Sequence, residues 1–153
     1  MELIPYSEFR RLRLGPFCPP NTKVERLSSD GEYMGRTWSG EGIRGVDFLW
    51  QQKAAGDLAC ILLALQPEFC PSDVEQAILV AIRLPFKRGM TSAAVRRLLG
   101  DPATECSGCG WETITFHCGH KYRYFVTADF GSDCGLRNLH VARLDALPKT
   151  DYP

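Results

Sequence analysis

The chain carries no excess charge of either sign: across 153 residues, 18 basic side chains balance 18 acidic ones. A neutral chain has no global attraction to polyanions, which argues against nucleic acid and anionic membrane as partners. Long apolar runs are missing too. The longest, Leu58 to Leu65, is far shorter than the ~20 residues that cross a bilayer. The opening segment, Met-Glu-Leu-Ile-Pro-Tyr-Ser-Glu, has no basic stretch leading into an apolar one, so no secretory leader and a cytoplasmic location are expected. Catalytic signatures are equally scarce. There is no phosphate-binding loop or paired-carboxylate motif, and no Ser-His-Asp or Cys-His arrangement can be assigned among the three histidines. An enzyme is therefore unsupported.

The composition present is that of an ordinary globular protein, 44% hydrophobic and 24% charged. That is enough apolar material for one domain spanning 1–153 with a proper core. Seven cysteines, at 18, 60, 70, 106, 109, 118 and 134, form an odd and scattered set. A disulfide framework would be even in number and denser in a smaller chain, so most are expected to be reduced thiols. Cys60, inside Leu-Ala-Cys-Ile-Leu-Leu, reads as a small buried hydrophobe.

Residues 7–14 read as a short helix stopped by Gly15 and Pro16. Val24 to Leu27, Glu32 to Trp38 and Ile43 to Trp50 read as strands separated by glycine turns. The text match Gly40-x-Gly42-x-x-Gly45 to a dinucleotide fingerprint is one of those turns, because a strand rather than a helix follows it. For Leu58 to Leu65 the Ala and Leu content tilts the expectation to a helix. Ser72 and Glu75 have capping-box spacing at the start of a helix that turns Val74, Ala77, Ile78, Ala81 and Ile82 inward.

The segment Gly89-Met-Thr-Ser-Ala-Ala-Val-Arg-Arg-Leu-Leu-Gly-Asp-Pro102 holds a start, a stripe and a stop. Thr91 can cap the first turn, Val95, Leu98 and Leu99 form an apolar face, Arg96 and Arg97 point away, and Gly100 with Pro102 ends the helix. Beyond it, Cys106 to Gly110 reads as a loop. Trp111 to His117 and Tyr122 to Phe130 follow as a hairpin, and Leu136 to Leu144 as a third strand. Phe9-Arg-Arg-Leu12 echoes Val95-Arg-Arg-Leu98, which leaves open two degenerate helix-plus-meander units, 1–66 and 67–147.

This order of elements resembles the fold shared by the small outer-membrane assembly lipoproteins and the β-lactamase inhibitor proteins. The resemblance covers residues 72–144 and rests on Gly89, Met90, Thr91, Val95, Leu98, Leu99, Gly100 and Pro102, with Trp111 opening the first strand. The chain departs from the lipoproteins in having no lipobox or export signal, which sets outer-membrane assembly aside. The inhibitor branch implies a curved sheet used as a non-catalytic binding surface. The fold class expected is α+β, with helices packed on one face of an antiparallel sheet.

Strand alternation turns Ile114, Phe116, Tyr122, Tyr124 and Val126 toward the helices. The opposite face then carries Trp111, Thr113, Thr115, His117, Arg123, Phe125, Thr127 and Asp129, joined by Asn138 and His140. Trp, Phe and Arg among small polar groups is a composition suited to protein recognition. The expected function is that of an inhibitor or immunity-type antidote. Its partner-binding residues are Trp111, Thr113, Thr115, His117, Arg123, Phe125, Asn138 and His140, with no catalytic residue and no cofactor.

The competing expectation is a zinc-stabilised module that uses Cys106, Cys109, Cys118 and His120. Cys-x-x-Cys is a common half-site for tetrahedral zinc. Against one shared site, an extended Trp111 to His117 sets Cys109 and Cys118 roughly 25 Å apart at about 3.3 Å per residue. A thioredoxin-like redox role is weaker, since the pair precedes a strand rather than a helix N-terminus.

Overall fold

A computed structural model describes residues 4–10, 24–26, 33–37, 46–51, 57–118 and 124–143. Among these residues eight strands form one antiparallel sheet in the order β1-β2-β3-β4-β8-β7-β6-β5. The strands are β1 (Val24–Arg26), β2 (Tyr33–Thr37), β3 (Val46–Gln51), β4 (Asp57–Ala64), β5 (Thr104–Gly108), β6 (Trp111–Cys118), β7 (Tyr124–Gly131) and β8 (Gly135–Arg143). Three helices among the described residues accompany them: α1 (Tyr6–Arg10), α2 (Ser72–Ala81) and α3 (Ser92–Leu99). This is an α+β protein built on an antiparallel sheet.

One cluster of buried side chains draws on the helices and on alternate strand positions. Phe9, Val74, Ile78, Leu79, Ile82 and Val95 meet Ile61, Leu63, Ile114, Phe116, Val126, Ala128, Leu139 and Val141 in it. Phe9 packs edge-on against Tyr124, ring centroids 5.1 Å apart. Ile114, Phe116, Tyr124 and Val126 thus lie on the core side, as alternation requires. Tyr122 is outside the described residues.

Three local expectations change. Leu58 to Leu65 is strand β4, not a helix, and is paired on both sides by β3 and β8. Ser72 forms no capping box. The N-cap of α2 is Pro71 without a side-chain cap bond, and Glu75 is buried beneath the helix instead. There its carboxylate takes the Arg88 guanidinium, with Nε at 2.9 Å, while Arg88 Nη2 donates to the Cys70 carbonyl at 2.8 Å. Finally, Cys106 is not in a loop: Thr104–Gly108 is an edge strand, and only Cys109 and Gly110 turn the chain into β6.

The helix α3 forms as the spacing indicates. Thr91 accepts from the Ala94 amide at 3.2 Å, and Gly100 closes the helix at φ 88°. Val95 is fully buried, whereas Leu98 stays 36% exposed. Arg96 does not point away. Its Nη2 bridges Glu105 of β5 at 2.6 Å and Glu112 of β6 at 2.9 Å, which ties the helix to the outer strands. The end of the sheet is tied to the start of α3 by backbone: Gly89 N–H donates to the Leu136 carbonyl at 3.2 Å, and Leu136 N–H to the Met90 carbonyl at 2.8 Å.

Candidate functional site

The side of the sheet away from the main core is organised as cross-strand rows. One row runs Ala64–Asn138–Asp129–Thr113–Cys106 across β4, β8, β7, β6 and β5. The next runs Leu62–His140–Thr127–Thr115–Thr104, and the third Cys60–Ala142–Phe125–His117. Directly opposed side chains lie within contact distance on an antiparallel sheet, so each row is a line of neighbours.

Hydrogen bonds hold the first two rows. Thr113 Oγ1 donates to Asp129 Oδ1 at 2.7 Å, and Asn138 Nδ2 reaches Asp129 Oδ2 at 3.4 Å. Thr115 and Thr127 hydroxyls lie 3.0 Å apart. Asp129 thus sits at the centre of a hydrogen-bonded cluster whose donors are uncharged, and among the described residues no Lys or Arg forms an ion pair with it. His140 stands diagonally from it across β7 and β8. Burial holds the imidazolium of His140 below the ordinary histidine range, with Asp129 pulling weakly the other way. Its Nε2 is buried and has no hydrogen-bond partner among the described residues. The same ring meets Phe125 edge-on at 5.0 Å.

Between β4, β8 and β7 these rows leave a cavity of about 340 Å³, lined by Leu62, Ala64, Thr127, Asp129, Asn138 and His140 together with Leu63 and Leu139. A second cleft, about 580 Å³, opens where Gly89 to Ser92, the β5–β6 turn and the β7–β8 turn converge. Trp111 lines it. The indole is 40% exposed and lies across its paired residue Gly108, where a Cβ would fall 2.6 Å from the ring's Cε2. A large ring covering a strand glycine supplies the packing that the glycine lacks.

The expected binding residues therefore divide. Trp111 and His117 are exposed, Thr113, Asn138 and His140 are half-buried, and all five share the face. Thr115, 6% exposed, and Phe125, 4% exposed, are covered. Phe125 packs with Cys60, Ala142 and Leu62 in a second, smaller apolar cluster. It therefore belongs to the packing of the protein, not to an open surface. Arg123 and His120 are outside the described residues. Asp129 was visible as a member of the face, but its central position depends on hydrogen bonds that no spacing reveals.

The thiols are dispersed. Cys106 sits on β5, Cys109 in the turn and Cys118 at the far end of β6, separated by the length of that strand. Cys106, Cys109 and Cys134 are exposed free thiols, while burial pushes the Cys118 thiol up to about 11. Among the described residues no three His, Cys, Asp or Glu side chains gather as a metal set.

Searches against protein-family models, curated proteins and solved structures return no match to this chain.

Proposed function

We propose that this protein works by binding another protein, as an inhibitor or immunity-type antidote that masks its partner with the sheet face carrying Trp111, Thr113, Asp129, Asn138 and His140. In this reading the helices occupy the other face, and the protein acts in the cytoplasm without a cofactor. The observation that carries it is the hydrogen-bonded row Thr113–Asp129–Asn138. Side chains already fixed in the free protein lose little conformational freedom on association, and that loss is a main cost of binding. Trp111 stands two residues along the same strand side, large, partly exposed and backed by Gly108, which is the character of an interface anchor.

The test is capture of the partner by the intact chain and by variants. Trp111→Ala is expected to weaken the complex by more than about 1 kcal/mol while leaving the fold intact. Val80→Ala, an exposed residue of α2, is expected to have no effect on binding. Equal capture by the Trp111 and Val80 variants would remove the sheet face from the interface.

A further inference from the structure

We infer that the cavity bounded by Leu62, Ala64, Asp129, Asn138 and His140 is a socket for an arginine side chain presented by the bound polypeptide. This rests on the protein-binding reading of the face and names the chemistry it would recognise.

The argument begins with charge. A half-buried carboxylate is ordinarily paired with a cation. Among the described residues Asp129 has neutral donors only, Thr113 on one oxygen and Asn138 on the other. A carboxylate offers about four acceptor positions, so both oxygens retain capacity. Among the described residues, no lysine or arginine lines the cavity beside it. The socket is therefore anionic and open to a positive guest.

The second acceptor fixes the shape of that guest. His140 lines the same cavity, its Nε2 is buried without a hydrogen-bond partner among the described residues, and burial disfavours the protonated ring. In the tautomer protonated at Nδ1, Nε2 accepts. Asp129 and His140 are diagonal neighbours on adjacent antiparallel strands, where such positions are ~7 to 8 Å apart. A planar group with donors on more than one edge can take the Asp129 carboxylate on one edge while another edge faces His140 on the adjoining strand, which suits guanidinium with its five N–H donors. The compact ammonium of lysine satisfies one side at a time. Leu62 and Ala64 supply an apolar wall for the methylene stem. About 340 Å³ is room for one such side chain, not for a folded segment.

Four probes on the isotopically labelled intact protein decide the matter by NMR: a capped Gly-Arg-Gly peptide, its citrulline and lysine counterparts, and ethylguanidinium. The arginine peptide is expected to give saturable amide shifts centred on residues 127–129 and 138–140. The citrulline peptide, equal in shape but uncharged, should bind at least about tenfold more weakly, and the lysine peptide should also be weaker. Binding of ethylguanidinium as strong as that of the arginine peptide would overturn the polypeptide source in favour of a small free cation. Asp129→Asn, checked for an unchanged spectrum elsewhere, should abolish the preference for arginine over citrulline. No saturable shift, or equal shifts from arginine and citrulline on the wild-type protein, overturns the socket. Those outcomes leave the sheet face to be judged by the Trp111 comparison, which uses the partner itself.

Discussion

Replacing Gly135 by alanine asks whether the β7–β8 turn is locked onto the segment that starts α3. Gly135 has φ +65°, and a Cβ there would stand 2.7 Å from the Gly89 carbonyl carbon and 2.9 Å from the Met90 oxygen. Both obstacles are backbone, so neither can swing aside. Left-handed φ costs an alanine about 1–2 kcal/mol on its own. Relief of the clash requires the turn to separate from residues 89–90, which stretches the two hydrogen bonds between Gly89 or Met90 and Leu136. At about 1 kcal/mol each, these raise the expected loss to about 3–4 kcal/mol. Gly89→Ala is the control: its φ is +74°, yet its added Cβ meets only the Cys134 oxygen at an ordinary 3.5 Å. It should cost only the conformational part, about 1–2 kcal/mol. Urea unfolding with unchanged m-values measures both. If the two variants lose the same stability within about 0.5 kcal/mol, the turn is not locked and the reasoning fails.

Other expectations follow from the same geometry. Phe125→Ala should destabilise the fold by about 3–5 kcal/mol, because the ring is 4% exposed against Cys60, Ala142 and His140; a loss under about 1 kcal/mol in urea unfolding would contradict its burial. His140 titrates with a depressed folded-state value caused first by burial. Its neutral form therefore contributes stability that is whole above about pH 6.5 and is lost as pH falls through the lower folded value. The urea midpoint of the wild type should accordingly fall further than that of His140→Gln between about pH 7.5 and pH 5; parallel curves would contradict the assignment. Iodoacetamide on the native protein should label Cys106, Cys109 and Cys134, with Cys70 and Cys118, both pushed up to about 11, slower by about a hundredfold or more, as peptide mass spectrometry would show. Protein purified without added metal should carry far less than one zinc per chain by elemental analysis, and near-stoichiometric zinc would restore the metal-module reading.

Legibility in the sequence followed the range of the interactions involved. The α3 segment could be read because its signals are local: Thr91 caps an amide three residues on, and Gly100 and Pro102 act at once on the backbone. The hairpin and its facing pattern followed from the period of two, which placed Ile114 and Phe116 inward and Thr113 outward. The edge strand Thr104–Gly108 could not be read, because all five residues are exposed and so carry no apolar alternation. The burial of Phe125 was hidden as well. Strand alternation says which side a ring is on, but not that Cys60 of a strand far away in sequence lies beside it. The ion pair of Arg96 with Glu105 and Glu112 depends on helix-to-strand placement, and nothing in a helical wheel shows that.

The three-residue spacing of buried positions in Leu58 to Leu65 and the placement of Asp129 beside His140 share one physical cause, an irregularity in each of two neighbouring strands. Between β3 and β4 the register passes from Leu49↔Cys60 to Trp50↔Leu58, so Ala59 is an extra residue. Between β7 and β8 it passes from Asp129↔Asn138 to Phe130↔Leu136, so Arg137 is extra. Each insertion flips the alternation. Leu58 and Ile61 are both in the main core although three residues apart, and so are Leu136 and Leu139. Three-residue spacing of buried positions is a helical signature, and a bulge reproduces it within a strand. The same flip has a functional consequence. With Leu136 in the core, an unbulged β8 would carry Asn138 and His140 inward beside it, where a polar amide and an imidazole would be stranded among apolar side chains. The extra residue at Arg137 instead lets β8 contribute Leu136 to the core at one end and Asn138 and His140 to the outer face at the other. The bulge is thus what brings a second strand's polar groups to Asp129, consistent with the role of such irregularities in aiming side chains beside sites.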